Sequence, residues 1–169
     1  LDLGEGAESD ENTLYLRTDE RAHRLVIRRS DTDQLTAMGW EVRDELALDR
    51  VRDSLHEHGI EFRDLSIDEA RARRVDELIA LDDPTGQPLE IFHGAGVDHS
   101  AVSTKYRTEF VTDEFGLGHI VVPSTDHEAT IAFYRDVLGF HTRGAFPFPP
   151  APGMPPLRIQ FMGVNPRHH

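Results

Sequence analysis

Residues 116–140, GLGHIVVPSTDHEATIAFYRDVLGF, decide how the chain is read. His119 opens an apolar run, Ile120, Val121 and Val122, with the character of a strand. An amphipathic helical stretch follows, and Gly139 ends it. The same order stands earlier. LTAMGWEV over residues 35–42 reads as a strand, and it leads into LALDRVRDSLHEHG, where Leu48, Val51 and Leu55 recur at helical spacing and Gly59 supplies the stop. Val42 and Val122, Val51 and Ile131, Gly59 and Gly139, and Ile60 and Phe140 all share one offset, 122 − 42 = 80. A module is therefore repeated.

A full copy reads strand, helix, then three strands. Such a unit buries one face of a curved sheet and needs a paired copy to complete a core. Working outward, TLYLR places Leu14 and Leu16 on one face and RLVIR does the same with Leu25 and Ile27, joined by a polar turn over 19–22, which gives a hairpin. SIDEARARR is a polar helical turn. VDELIALDDPTGQPLEIFHG forms a second hairpin around Asp83-Pro84-Thr85-Gly86. Residues 97–112 are polar and irregular and suit a connection. The expected fold is α+β, tandem βαβββ modules, of which the first lacks its opening strand and helix and the last its closing strand. Residues 1–110 are expected to hold two modules as a non-catalytic domain, and residues 111–169 the start of another domain. PFPPAPGMPP, six prolines in ten positions, is expected to be a loop that lines a pocket mouth.

The chain has 169 residues, enough for one sizeable core or two small packed units. Acidic residues outnumber basic ones 31 to 18, a net charge of −13, which leaves no basic surface for nucleic acid. No stretch approaches the roughly 18 apolar residues of a membrane span. With no cysteine, disulfides and thiolate sites are excluded, a cytoplasmic address is expected, and any metal must be held by His, Asp or Glu. LDLGEGAESDEN is acidic and unlike a signal peptide, and both ends fall inside modules. The expectation is a segment of a longer protein, with about 120 further residues on the carboxyl side for a fourth module.

His119 and Val121 share a strand face by alternation. His168 and His169 stand in NPRHH at the end of a strand read from Leu157. Phe161 lies 169 − 161 = 8 residues before His169, an even number that places the two on one face. A strand-end histidine is more often bonded to backbone or water, and a terminal histidine pair also fits a solvated tail or a purification tag. Non-haem iron usually takes two His and one carboxylate on one side of the metal.

GLGHIVV, FYRDVLGF and FMGVNPRHH, after RRVDELIALDDPTGQPLEIFHG, resemble the type I extradiol ring-cleaving dioxygenases of the vicinal oxygen chelate superfamily, over nearly the whole chain. The wording is nearest to the branch acting on 2,3-dihydroxybiphenyl and on steroid catechols. The resemblance implies a two-domain subunit of four modules with Fe(II) held in the carboxyl-terminal domain only. It also implies His119 as the first iron ligand and His169 as the acid–base residue beside the metal, with Val121 and Phe161 lining the ring pocket. The second His ligand and the Glu ligand would lie further on. A catechol and O2 are the implied substrates, and a homo-oligomer the implied assembly.

Glu90 occupies the place where a metal-binding module of this superfamily carries its Glu ligand. The matching strand, 35–42, has no histidine, so Glu90 reads as structural, with His93 a hydrogen-bond partner. His23, His56, His58, His99, His127 and His141 read as solvated, and DEARARRVDE as an exposed face. The competing readings are a glyoxalase-like or thiol-transferring enzyme of the same superfamily, and a metal-free protein that sequesters an aromatic compound or drug.

Overall fold

The computed structural model describes residues 2–112, 116–149, 152–153 and 157–165. Its central unit starts with β4 (Met38–Glu41) and α1 (Glu45–Glu57), preceded in the chain by β1 (Gly4–Glu5), β2 (Thr13–Arg17) and β3 (Leu25–Arg28). The Asp44 carboxylate accepts the Ala47 N–H at 2.9 Å and so starts α1 by satisfying a donor that has no partner within the helix. Leu48 and Leu55 of α1 are fully buried. Truncating either to Ala costs about 2–5 kcal/mol. Gly59 ends the helix at φ +66°, letting Ile60 N–H return to Leu55 O at 2.9 Å.

Next come β5 (Arg63–Asp64), α2 (Ile67–Arg73), β6 (Glu77–Asp82) and β7 (Pro88–His93). Ser66 and Glu69 form a reciprocal capping box at the start of α2. The four strands are ordered β4-β7-β6-β5, with β4 parallel to β7 and the other pairs antiparallel. Met38 lies opposite Leu89, and Leu89 opposite Leu81. These three are buried together on the face toward α1. This is one complete βαβββ module, as the repeat predicts. The preceding sheet, β1-β2-β3, is wholly antiparallel. The acidic opening stretch thus contributes a short strand that its composition does not suggest, and the strand expected over 35–42 is limited to 38–41.

The later copy holds α3 (His127–Ala132), a π-helical turn (Phe133–Val137), β8 (His141–Phe148) and β9 (Leu157–Gly163). Adding 80 to the bounds of α1 gives 125–137, close to the span of α3 and its π turn. Gly139 ends it at φ +74°, as Gly59 ends α1. Phe133, Tyr134 and Phe140 join the core of the central module, with Trp40 edge-on to Phe140 at a 4.9 Å ring separation. Ser54 of α1 donates its hydroxyl hydrogen to Val137 O at 2.8 Å, satisfying a carbonyl at a helix end.

Two expectations need correction here. The apolar run after His119 forms no strand. In the central module the opening strand bonds only to the closing strand β7, and no strand in the position of β7 follows β9 among the described residues. Proline also reaches into a strand, since Pro147 lies in β8 opposite Arg158. β8 and β9 form a two-stranded sheet, so both are edges where a residue without an N–H is tolerated.

Candidate functional site

Gly116 and Leu117 form a turn, and His119 comes after it in backbone that is not part of a helix or strand. Val122 packs against the hydrophobic core. Val121, its neighbour, is 82% exposed, and His119 is exposed as well. His119 and Val121 are thus both exposed, next to a residue that packs on the core.

The same division holds in β9. Met162 packs on the core, so Phe161, half-buried, faces the other way. Its ring lies 5.6 Å from that of Phe146, and Gly144 is its partner across the ladder. His119 and Val121 are therefore exposed, and Phe161 turns away from the core. His169 lies outside the described residues, as does His168. β9 ends at Gly163, and Val164 and Asn165 form a bend, so strand alternation from Phe161 stops there.

Two inner carboxylates of the amino-terminal half have side-chain partners. Arg73 bonds Glu90 through two nitrogens, at 2.8 and 3.1 Å to one carboxylate oxygen, and this raises the guanidinium pKa. His93 contacts Glu77 at 3.4 Å rather than Glu90, which corrects the expected partner. Glu90 sits on β7 with its own cation and no imidazole, as a structural carboxylate does. Arg73 also departs from the expected exposed face of α2, since it is half-buried.

A second polar group closes the junction with the later copy. Asp19 binds Arg24 at 2.7 and 2.9 Å and accepts the Arg21 N–H at 3.1 Å. Burial pushes the Asp19 carboxyl up, but Arg24, the Arg21 N–H and the Thr112 hydroxyl outweigh it and hold the group below its ordinary range. Arg21 reaches Glu41 at 2.7 Å. No motif or spacing in the sequence points to this cluster. Its structural mark is three consecutive buried residues at the end of β2 and just beyond it, Arg17, Thr18 and Asp19.

The final residues, 116–169, match the model of the Glyoxalase/Bleomycin resistance protein/Dioxygenase superfamily. Over 174 aligned residues the whole chain is 45% identical to the "Iron-dependent extradiol dioxygenase" of Rhodococcus jostii (strain RHA1), covering 58% of that protein. It is 35% identical to the "Biphenyl-2,3-diol 1,2-dioxygenase" of Metapseudomonas furukawaii, again over its full length and 56% of the relative. A crystal structure of a catechol 2,3-dioxygenase superposes on 99% of the chain and 60% of its own, with a TM-score of 0.89 and 34% identity. Residues 116–169 thus match that superfamily, and the chain over its whole length is similar to extradiol dioxygenases. It spans a little over half the length of the curated relatives it matches.

The donor set decides what the residues of this chain can hold. His119 offers one imidazole on an exposed side. Among the described residues no three His, Asp or Glu side chains are grouped to hold a metal ion. The donor type fits iron, but the described residues do not complete its set. Among these residues, too, no helix is long and apolar enough to cross a membrane. Two histidines differ from the solvated reading: His23 is half-buried against Tyr15 at a 5.2 Å ring separation, and His127 has an enclosed Nε2.

Proposed function

We propose that this chain is part of an iron(II)-dependent extradiol dioxygenase that opens a catechol ring beside its diol with O2, in aromatic or steroid breakdown. Residues 1–110 form its non-catalytic domain and residues 111–169 open the iron-binding domain. The supporting observation is the exposure of His119 and Val121, and the turning of Phe161 away from a core that takes Val122 and Met162. An exposed imidazole two positions from an exposed Val121 suits a metal ligand at the rim of an aromatic pocket. The names of the relatives carry the same chemistry.

In this reading His119 supplies one iron ligand, and the other protein ligands come from polypeptide beyond this chain. Iron(II), when bound, brings both catechol oxygens and dioxygen to one centre. Val121 and Phe161 hold the ring by apolar contact and keep water from it. His169 takes a proton from a catechol hydroxyl and returns it as the ring opens, a task suited to a group that titrates near neutral pH. A cytoplasmic homo-oligomer belongs to the same proposal.

The test uses the full-length protein that carries this chain, loaded anaerobically with Fe(II) and mixed with 2,3-dihydroxybiphenyl in aerated buffer. One O2 consumed per catechol, with a coloured ring-opened product, supports the reading. Catechol recovered intact with no oxygen uptake overturns it in favour of sequestration.

A further inference from the structure

The side of β8 and β9 that carries Phe161 is apolar. Gly144 lies directly opposite Phe161, Phe146 opposite Ile159, and Phe148 opposite Leu157. Opposed residues point to one side of a sheet and residues two apart share it, so these six positions form one wall. Met162 marks the other side, packed on the core. Phe146, Phe148 and Leu157 are 42%, 47% and 48% exposed, a concentration of bare apolar surface on a two-stranded sheet.

Gly144 interrupts this wall, and neither its backbone nor its packing calls for a glycine. The ladder shifts register between Thr142 and Gly144, leaving Arg143 as the extra residue of a bulge. A bulge requires glycine where φ is positive, and Gly144 has no such φ. Its carbonyl accepts the side-chain N–H of Gln160 at 2.7 Å, which pins the backbone at the bulge. A Cβ built on Gly144 meets no atom of the described residues within 4 Å, so the space beside Phe161 is open. Glycine weakens a strand, and the reason left for one here is the close approach of another group.

We propose that Gly144 is a specificity-determining residue: the side chain missing opposite Phe161 leaves a notch that takes an apolar substituent of the catechol. The Phe146 ring, 5.6 Å from that of Phe161, flanks it. This rests on the reading that Phe161 lines the ring pocket. The substrate class is then a catechol that bears an aryl or similarly bulky apolar group, rather than catechol itself. An aryl group gains by leaving water against this wall, whereas a charged substituent would lose its hydration to side chains that offer no hydrogen bond.

The test compares kcat/KM for 2,3-dihydroxybiphenyl and for unsubstituted catechol in the full-length, iron-loaded protein and its Gly144→Ala and Gly144→Val variants, with thermal unfolding in parallel. We expect Gly144→Val to lower kcat/KM for 2,3-dihydroxybiphenyl roughly tenfold or more, chiefly through KM, and to leave catechol within about threefold, with Gly144→Ala in between. Neither variant should unfold earlier than the parent. No fall with either substrate, or an equal fall with both, overturns the proposal, and an equal fall with earlier unfolding shows that polypeptide rather than substrate fills the notch. The functional reading fails separately: a parent that consumes no O2 with either compound has no ring to hold, and the role of Gly144 falls with it.

Discussion

Tyr134 donates its phenolic hydrogen to the Asp83 carboxylate across 3.3 Å, and both residues are buried. The other oxygen of Asp83 accepts the Thr85 N–H, the Thr85 hydroxyl and the Gln87 N–H at 2.7–3.0 Å, which shapes the turn between β6 and β7. One carboxylate therefore holds a hairpin of the central module and, through Tyr134, the π turn of the later copy. Burial first, then the charge of Asp83, pushes the phenol well above its ordinary pKa.

Tyr134→Phe should lower stability by about 1–2 kcal/mol, read as a shift in the urea midpoint. The neutral phenol is favoured by folding, so its contribution is complete below about pH 10 and is lost as pH rises toward the elevated folded value. The parent should therefore lose stability faster than Tyr134→Phe above about pH 10. Parallel pH profiles would contradict this assignment.

The repeat is legible in the sequence because helix period and helix stop are local. Leu48, Val51 and Leu55 announce α1, and Gly59 and Gly139 mark two equivalent ends. The strand expected after His119 does not form, because an apolar run shows only a capacity to pair. Pairing also needs a neighbour. For β4 that neighbour is β7, where the residue opposite Met38 is Leu89, 89 − 38 = 51 positions later. The orientation of Val121 and Phe161 is legible in part. Alternation gives their side of the backbone, but core contacts at Val122 and Met162 are needed to say which side is open. The Asp19, Arg24 and Thr112 cluster is hidden because its members are 112 − 19 = 93 residues apart at the extremes.

Arg73→Met should cost about 2 kcal/mol in urea unfolding, since it strips a charge-assisted bidentate bond from Glu90, whose side chain is only 16% exposed. Glu90→Gln in the full-length protein should leave iron content unchanged. Loss of iron in that variant, measured by metal analysis after desalting, would make Glu90 more than a structural carboxylate.

His23 titrates below the ordinary imidazole range, because burial disfavours its charged form and the charges of Arg74 and Arg28 add to that. Folding here favours the neutral ring. The contribution is present above about pH 6.5 and is lost as pH falls toward the depressed folded value. His23→Gln should accordingly show a shallower fall in stability between about pH 6.5 and pH 5. An NMR titration that puts the His23 ring at or above its ordinary value would contradict the burial argument.

His119 and His169 should separate into two kinds of defect in the full-length protein. If His119 supplies a ligand, His119→Ala removes one of three protein donors, and iron should be lost on desalting together with oxygen uptake. If His169 only moves protons, His169→Ala should retain iron and lower kcat by about 10²–10⁴, the range for a missing general acid or base. Its loss should also remove one limb of the pH–rate profile, which a purely structural residue would leave in place. Iron lost equally from both variants would show that residue 169 belongs to the metal's donor set, and the proton-transfer role would then have to be sought in another side chain.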